Sequence, residues 1–400
     1  MNNWKKCKLG DIAEILNGYA FKSKDFLTGK TINSLPVVKI KNVANNSYAL
    51  EEMQFCLYKE ELSRYVINNK DILIALTGNH PEANTQVVGM VSRYKSEIKG
   101  LLNQRVAKIT ANDKADNVFL YYFLSFEETH NYIASFSSGS ANQANISKTD
   151  LETIEILLPP LEEQRQIATI LSSIDDKIEL LHEQNKTLEE LAQTLFRHYF
   201  IENPNPSWQE KPLSDFGNII CGKTPSKKVD KYYNGDIPFI KIPDMHGNIF
   251  VFKTNECLSE LGSQTQINKL IPKKSICVSC IATVGVVSMN AFESHTNQQI
   301  NSIVPKNEHY RYFLYLYMKH LYDYLQSMAS GGTATANLNT RDFSNIHILM
   351  PDEEMMINFS GKTSEYFDKI FKNLEQIQTL ENMRDILIPK LLNGEIKINN

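Results

Sequence analysis

The chain contains a duplicated domain. Residues 138–146 (SGSANQANI) return 192 positions later as residues 330–338 (SGGTATANL), and residues 36–40 (PVVKI) return at an offset of 202 as residues 238–242 (PFIKI). Solenoid repeats run to about 50 residues, so a period near 200 indicates two similar domains rather than an array of small units. We therefore expect a function that uses two similar modules at a fixed separation.

The composition is that of an ordinary soluble protein. Four hundred residues allow two or three domains with cores of their own, and the chain is 42% hydrophobic and 22% charged. No apolar run approaches the ~20 residues of a membrane span, and the first residues do not resemble a signal peptide. We expect a cytoplasmic location, with the six cysteines as reduced thiols.

The net charge of −4 hides a partition along the chain. Residues 1–150 hold 18 Lys and Arg against 15 Asp and Glu, and residues 204–350 hold 14 against 11. Residues 151–203 hold 4 against 11, and residues 351–400 hold 6 against 9. The modules are thus mildly basic and the joining segments acidic, which by itself favours DNA binding only weakly.

Each acidic segment carries a heptad pattern that predicts a long helix. Residues 164–200 would form a helix of about 55 Å, longer than the roughly 34–36 Å of one DNA turn. The predicted seam positions are Ile167, Leu171, Ile174, Ile178, Leu181, Asn185, Leu188 and Leu195 in the first segment, and Tyr366, Ile370, Ile377, Leu380 and Leu387 in the second. A seam in both copies favours two long helices packed on each other over helices packed only on their own domains. Asn185 either fixes the register and partner of the seam or lies where the seam is open to solvent.

The modules themselves show the pattern of mixed α/β domains. Short β-branched runs such as residues 71–76 and 275–282 predict strands, and Tyr/Phe/Leu-rich helices are predicted near residues 118–126 and 310–328. We predict an α+β protein of two similar mixed α/β domains joined by two long helices. The predicted domains are residues 1–158 and 204–350 for the modules, and residues 159–203 and 351–400 for the helices.

Polar loops between these elements supply candidate DNA contacts. Asn and Gln suit adenine, whereas Lys, Ser and Thr suit phosphates, although polar loops are common on any surface. The candidates from these loops are Thr77, Asn79, His80, Ser138, Ser140, Asn142, Gln143, Thr224, Ser226, Lys227, Lys228 and Thr333.

Residues 217–224 match the P-loop pattern G-x-x-x-x-G-K-[ST] without its context. A P-loop follows a buried apolar strand and opens a helix that holds phosphate, whereas residues 210–215 do not read as such a strand and residues 225–230 do not read as a helix. We therefore predict no ATP site here.

Other catalytic signals are weak. Cys277 and Cys280 form a lone C-x-x-C inside a predicted strand, where alternation places the two sulfurs on opposite faces. The nine histidines form no H-E-x-x-H, and no adenine-methylase motif or nuclease carboxylate cluster is found in the sequence. We expect no metal site and no catalysis by this chain alone.

Several motifs resemble those of type I restriction-modification specificity subunits. Residues 158–168 (LPPLEEQRQIA) and 170–178 resemble their central conserved region, and residues 387–396 (LIPKLLNGEI) resemble their distal one. Shorter pieces, residues 20–23 and 222–226, resemble recurrent parts of their target-recognition domains. Through this resemblance Lys22, Ser23, Asn103, Gln104, Asn297 and Gln298 join the candidate DNA contacts, and the adjacent Lys24 is a further candidate.

The resemblance implies a non-catalytic subunit of a larger complex. Each of two target-recognition domains would read one half of a split double-stranded DNA sequence, and the two helices would pack antiparallel as a coiled-coil spacer that docks two methyltransferase subunits. S-adenosylmethionine would belong to those subunits, and ATP with Mg²⁺ to a motor and restriction subunit. No cofactor is expected on this chain.

Copy two departs from the family pattern. Residues 351–356 read PDEEMM where copy one has PPLEEQ, and Asn373 and Arg384 occupy positions expected to be apolar. This departure bears on whether the two methyltransferase docking surfaces are equivalent. The alternatives are a specificity subunit of a related system with methyltransferase and nuclease fused in one partner, and a freestanding sequence-specific DNA-binding protein that dimerises through its coiled coil.

Overall fold

The computed structural model describes residues 4–78, 87–140, 143–329 and 336–396. Packing divides the chain into two compact units, here called unit 1 (Met1–Lys177 with Leu380–Asn400) and unit 2 (Ile178–Thr379). The division falls within both long helices, so each unit contains one α/β module and a part of each helix. The domain boundaries inferred from the sequence separate helix from module, and they stay predictions.

The first copy supplies the following elements. Its strands are β1 (Lys5–Lys8), β2 (Ala13–Asn17), β3 (Phe26–Leu27), β4 (Ser34–Val38), β5 (Gln54–Leu57), β6 (Val66–Ile67), β7 (Ile72–Ala75), β8 (Thr77–Gly78), β9 (Val91–Arg93), β10 (Gly100–Leu102), β11 (Val106–Ala111), β12 (Ser138–Ser140), β13 (Gln143–Asn145) and β14 (Glu155–Leu158). Its helices are α1 (Leu9–Ile12), α2 (Ile40–Ala44), α3 (Asn117–Ser125), α4 (Glu127–Ser135), α5 (Lys148–Thr153) and α6 (Leu161–Phe196), and a π-helical segment (Arg197–Glu202) continues α6.

The second copy repeats much of this order. Its strands are β15 (Gln209–Pro212), β16 (Gly217–Cys221), β17 (Tyr233–Ile240), β18 (Phe250–Val251), β19 (Cys257–Leu258), β20 (Ile276–Ser279), β21 (Val287–Asn290), β22 (His295–Thr296), β23 (Ile300–Pro305) and β24 (His347–Met350). Its helices are α7 (Leu213–Phe216), α8 (Ile242–Met245), α9 (Glu260–Gln264), α10 (Arg311–His320), α11 (Tyr322–Ala329), α12 (Thr340–Ser344) and α13 (Glu353–Leu392). The helix predicted near residues 310–328 is thus two helices, α10 and α11.

A strand buried on both faces lies at the centre of each module. In the order β2-β11-β7-β9, successive residues of β7 enter two different clusters: Ile72 and Ile74 pack with Leu120 and Leu124, whereas Leu73 and Ala75 pack on the other face. In the order β16-β23-β20-β21-β18, successive residues of β20 likewise enter two different clusters. Because side chains alternate across a strand, such continuous apolar runs indicate burial on both sides.

The remaining sheets close each module. In unit 1, β3-β5-β4-β10-β6 and β12-β13-β8 lie beside the central sheet, and β1 pairs with β14. In unit 2 the corresponding sheets are β19-β17-β22 and β15-β24. The indole nitrogen of each tryptophan donates to an acidic residue near the start of a long helix: Trp4 to Glu163 at 3.1 Å, and Trp208 to Asp352 at 3.1 Å.

The long helices α6 and α13 run antiparallel, as contacts inside each unit show. In unit 1, Asp175 accepts a hydrogen bond from Arg384 at 3.2 Å. In unit 2, Asn185 accepts one from Asn373 at 2.9 Å, and Tyr199 accepts one from Lys362 at 2.8 Å. As the residue number rises along α6, the number of its partner on α13 falls, which confirms the predicted fold class.

Most positions of the predicted seam are buried. The buried ones are Ile167, Leu171, Ile174, Ile178, Leu181, Asn185, Ile370 and Ile377, and the partly buried ones are Leu188, Leu195, Tyr366, Leu380 and Leu387. Asn373 and Arg384, which depart from the apolar pattern, have the polar partners named above. Asn185 is 5% and Asn373 1% exposed, so this part of the seam is closed to solvent. Among the described helices, none is long and apolar enough to cross a membrane.

We predict that Asn185→Leu lowers the free energy of unfolding by about 1–3 kcal/mol, because the buried amide of Asn373 loses its 2.9 Å acceptor and keeps only a 3.4 Å contact to Gln184. Replacing both residues by Leu should restore most of the loss, because no unpaired amide then remains. Urea unfolding midpoints of the two single variants and the double variant measure this coupling. Asn382→Leu, at an exposed position of α13, is the control. Additive losses in the double variant would contradict the pairing.

Candidate nucleic-acid interface

An equivalent close crossing of two backbone segments occurs in each module. The amide of Gly18 donates to Val106 at 3.1 Å, and the amide of Gly222 donates to Ile300 at 3.1 Å. A Cβ atom on Gly18 would lie 2.2 Å from the carbonyl oxygen of Asn103, and one on Gly222 would lie 2.2 Å from that of Asn297. Both positions therefore require glycine, which is the structural reason for the second glycine of the P-loop match.

Asn103 and Asn297 use their amide oxygens inside this crossing. The Oδ1 atom of Asn103 accepts from the backbone of Arg105 at 3.3 Å, and that of Asn297 accepts from the backbone of Gln299 at 3.1 Å. Asn297 is only 7% exposed. These two predicted DNA contacts thus shape a turn, and the turn presents Gln104 and Gln298 as exposed neighbours.

In unit 1 the next residue of the turn belongs to a polar cluster. Arg105 donates through Nη1 to Thr77 Oγ1 at 3.1 Å and to Asn145 Oδ1 at 3.0 Å, and Thr77 Oγ1 donates to Asn145 Oδ1 at 2.7 Å. Strand pairing places exposed Ser138 opposite Asn145. A guanidinium has five N–H donors, so Arg105 keeps donors for a phosphate or a guanine.

Sequence reasoning missed Arg105 and Asn145. Asn145 lies inside the repeated segment that returns around Asn337, so the repeat carried a signal for it. Arg105 comes directly after Asn103 and Gln104, but its contacts depend on strand pairing far along the chain.

A lysine from the repeated PVVKI/PFIKI segment holds a polar side chain at the start of the neighbouring strand in unit 1, and one directly before that strand in unit 2. Lys39 donates to Oε1 of Gln54, and Lys241 forms an ion pair with Glu256. Lys39 also lies 4.0 Å from the ring centroid of Phe26, a cation–π contact. Burial lowers the pKa of Lys39, and the hydrogen bond from Lys241 lowers the pKa of Glu256, so Glu256 stays charged at neutral pH. The sequence analysis did not select Lys39, Gln54, Lys241 or Glu256 as candidate contacts.

The predicted loop of unit 2 lies against the same residues. Thr224 Oγ1 donates to Gln298 Oε1 at 2.5 Å, and Lys227 Nζ lies 3.6 Å from Glu256 Oε1. Ser226 and Lys228 are exposed. Lys227 is therefore part of a carboxylate-centred group rather than an isolated cation.

We call these connected residues the polar row. In unit 1 the polar row comprises Gln54, Lys39, Asn103, Gln104, Arg105, Thr77 and Asn145, and in unit 2 it comprises Glu256, Lys241, Asn297, Gln298, Thr224 and Lys227. Within each row, a backbone hydrogen bond links the turn to the segment that carries the lysine. The amide of Asn103 donates to Val38 at 3.2 Å, and that of Asn297 donates to Ile240 at 3.2 Å, one residue before each lysine.

The other predicted contacts stay separate or lie outside the described residues. Lys22, Ser23 and Lys24 are exposed at a 3-10 turn, where the Lys22 amide donates to Asp25 at 2.7 Å. Ser140 and Gln143 pair in a hairpin. The candidates outside the described residues are Asn79, His80, Asn142 and Thr333.

The P-loop match forms a strand instead of a phosphate loop. Its first five residues are β16, which pairs antiparallel with β23. Within residues 222–229, which the structure describes throughout, no helix begins, and the next helical turn is the 3-10 segment Asp230–Tyr232. The backbone amides therefore serve strand pairing and not a phosphate cradle.

The C-x-x-C cysteines belong to the core. Cys277 packs with Ile240 and Ile300, and Cys280 packs with Phe216 and Leu338, so the two sulfurs enter opposite clusters as alternation predicts. Burial raises the pKa of Cys277 to about 12 and that of Cys280 to about 11, which keeps both protonated. Among the described residues no group of three or more His, Cys, Asp or Glu side chains is arranged to hold a metal ion.

Two equivalent scaffolds with different polar side chains at equivalent positions define a protein with two similar recognition domains. Residues 1–190 and 205–383 both match the family model of the type I restriction modification DNA specificity domain. The chain therefore belongs to this family, the specificity subunits of type I restriction-modification systems.

Two named relatives support the family, and one solved structure shares the fold. The HindI specificity subunit of Haemophilus influenzae is 34% identical, with 99% of this chain and 100% of the relative covered. The MjaIX specificity subunit of Methanocaldococcus jannaschii is 25% identical, with 99% and 94% covered. The crystal structure of the S subunit from M. genitalium shares the fold, with a TM-score of 0.64, 16% identity, and 98% and 96% of the two chains covered.

We predict that Gly18→Ala destabilises unit 1 by about 1–3 kcal/mol, because the added methyl group meets the Asn103 backbone at 2.2 Å. Gly29→Ala is the control, since open space surrounds that position. Thermal unfolding of both variants measures the difference. Equal midpoints for the two variants would show that the crossing is not close in solution.

Proposed function

We propose that each module reads one half of a bipartite double-stranded DNA sequence. The observation that carries this proposal is the polar row. Backbone hydrogen bonds from Leu76 to Arg105 and from Cys280 to Gln299 make Arg105 and Gln299 structurally equivalent. Equivalent backbones with different side chains are what two different half-sites require, because side chains at base edges carry the sequence information.

We propose further that the chain is the non-catalytic member of its complex. Two methyltransferase subunits would dock on α6 and α13, and motor and restriction subunits would join them on DNA. S-adenosylmethionine, ATP and Mg²⁺ would be bound by those partners, which perform adenine methylation or cleavage of unmodified DNA. We place this activity in the cytoplasm, where target and partners would meet.

The two long helices would set the distance between the half-sites. Helix α6 has 36 residues and α13 has 40, so α6 is about 54 Å long. That length exceeds the roughly 34–36 Å of one DNA turn, which suits two half-sites separated by an unspecified spacer. The Asn185–Asn373 pair would keep the two helices in register within the seam.

A genome-wide adenine-methylation map tests the proposal. Host cells with the chain intact should show one split motif, two short defined halves around an unspecified gap, and cells with the chain deleted should lose it. An unchanged map, together with sequence-specific binding by the purified chain alone, would favour a freestanding DNA-binding protein instead.

We predict that inserting one heptad into each long helix, at the level of Asn185 and Asn373, lengthens the spacer of the methylated motif. Seven residues add about 10 Å, or roughly three base pairs. The same methylation map measures the spacer. Exchanging the exposed Lys186 and Glu190, which leaves the helix length unchanged, is the matched control. A spacer of wild-type length in the lengthened protein would show that the helices do not set the spacer length.

A further inference from the structure

We propose that Gln54 and Glu256 are equivalent base-reading residues, one in each module, and that Gln54 reads adenine whereas Glu256 reads cytosine. Lys39 and Lys241 act as positioning residues that hold these side chains. The proposal rests on the proposed DNA-reading function and deepens it, because it names one position in each half-site and the residue that selects its base.

The strand register shows that the two positions are equivalent. In unit 1, Pro36 of β4 lies opposite Phe55, the residue after Gln54. In unit 2, Pro238 of β17 lies opposite Cys257, the residue after Glu256. The offset of 202 relates both members of each pair, so the same place in the scaffold carries an amide in one module and a carboxylate in the other.

The lysine fixes the orientation of the Gln54 amide. An ammonium group can only donate, so the oxygen Oε1 must face Lys39. Among the described residues neither hydrogen of Nε2 has an acceptor, and Gln54 is exposed. The side chain can therefore donate through Nε2 and accept through the second lone pair of Oε1. Adenine presents the matching pair in the major groove, with N7 as acceptor and N6 as donor.

Glu256 is held in the same way but offers only acceptors. Lys241 and Lys227 both contact its Oε1, the latter at 3.6 Å. The carboxylate lines an open pocket of about 430 Å³ together with Tyr233 and Asn255. A charged acceptor suits the N4 amino group of cytosine, which is a donor.

A role in stability alone would not account for this pattern. Lys39 holds a neutral amide, and the side chains of Lys241 and Glu256 are still 22% and 35% exposed, so neither arrangement is a fully buried ion pair that the core requires. A structural partner for the lysine would also have no reason to be an amide in one copy and a carboxylate in the other. Base discrimination does require that difference, because an amide both donates and accepts whereas a carboxylate only accepts.

The test exchanges the two side chains in the full chain, assembled with its partners, and maps the methylated motif. Gln54→Glu should change one base in one half-site from adenine to cytosine, and Glu256→Gln should change one base in the other half-site from cytosine to adenine. The preference at that base should shift by about 5- to 150-fold, the range of one good base contact. The unaltered half-site is an internal control in each case.

Matched controls carry the same change of charge away from the polar row. Asn131→Asp lies on an exposed face of α4, and Glu293→Gln lies at the opposite end of β22 from Asn297. Both should leave the motif unchanged. Lys39→Met should weaken discrimination at the same base as Gln54→Ala and nowhere else, because it releases the reading side chain without removing it.

The outcomes distinguish a failure of the Gln54 and Glu256 assignment from a failure of the proposed DNA-reading function. A wild-type complex with no split motif would contradict the DNA-reading function itself. A wild-type motif that persists unchanged in both exchange variants would overturn the assignment of Gln54 and Glu256. Equal weakening at every sequence would also overturn it, since that result identifies backbone anchoring. Gln54→Ala and Glu256→Ala are second variants in case an exchange variant misfolds. They are tested by selection from random DNA with the purified complex. A relaxed preference at one base supports the proposal.

Discussion

The packing of each module onto the two long helices is the interaction on which the rest of each unit depends. In unit 1, Phe119 and Tyr122 of α3 share one cluster with Leu171 of α6 and Leu391 of α13. In unit 2, Phe313 of α10 shares one cluster with Phe196 of α6 and Phe367 of α13. Because buried side chains interdigitate closely, a module cannot move on its helices without breaking its own core. Each polar row is thereby fixed relative to the helix segments in its unit.

Polar groups inside this packing add specificity at the points where they have partners. Tyr122 donates to Asp175 at 2.6 Å, and Asp175 also accepts from Arg384, so the module and both helix segments of unit 1 meet in one network. Burial raises the pKa of Tyr122, which keeps its hydroxyl a donor. The repeat offset relates Asn185 to Ile377 and Asn373 to Leu181, both of which are buried and apolar. The amide pair thus breaks the internal symmetry of the seam and distinguishes the pairing of α6 with α13 from a pairing of like helices.

The duplicated scaffold separates two demands on the sequence. Glycines at positions 18 and 222 and the amide oxygens of Asn103 and Asn297 are used to build the same turn twice. The side chains presented beside that turn are free to differ, as Gln54 and Glu256 do. The DNA sequence that one module reads can therefore change without a change of fold, because the exposed side chains of the polar row contribute little to core packing.

The sequence by itself determined the duplication, the mixed α/β class, the two long helices and the family, because repeats and heptads are local patterns that can be read along the chain. It also indicated that the P-loop match lacks its strand and helix. Only the tertiary structure decided that Arg105 meets Thr77 and Asn145, that Lys39 holds Gln54, and that Asn103 turns its amide inward. The Arg105 contacts join segments 28 and 40 residues apart, and the Lys39 contact joins neighbouring segments 15 residues apart. The register of those segments depends on which faces are buried, which no local pattern specifies.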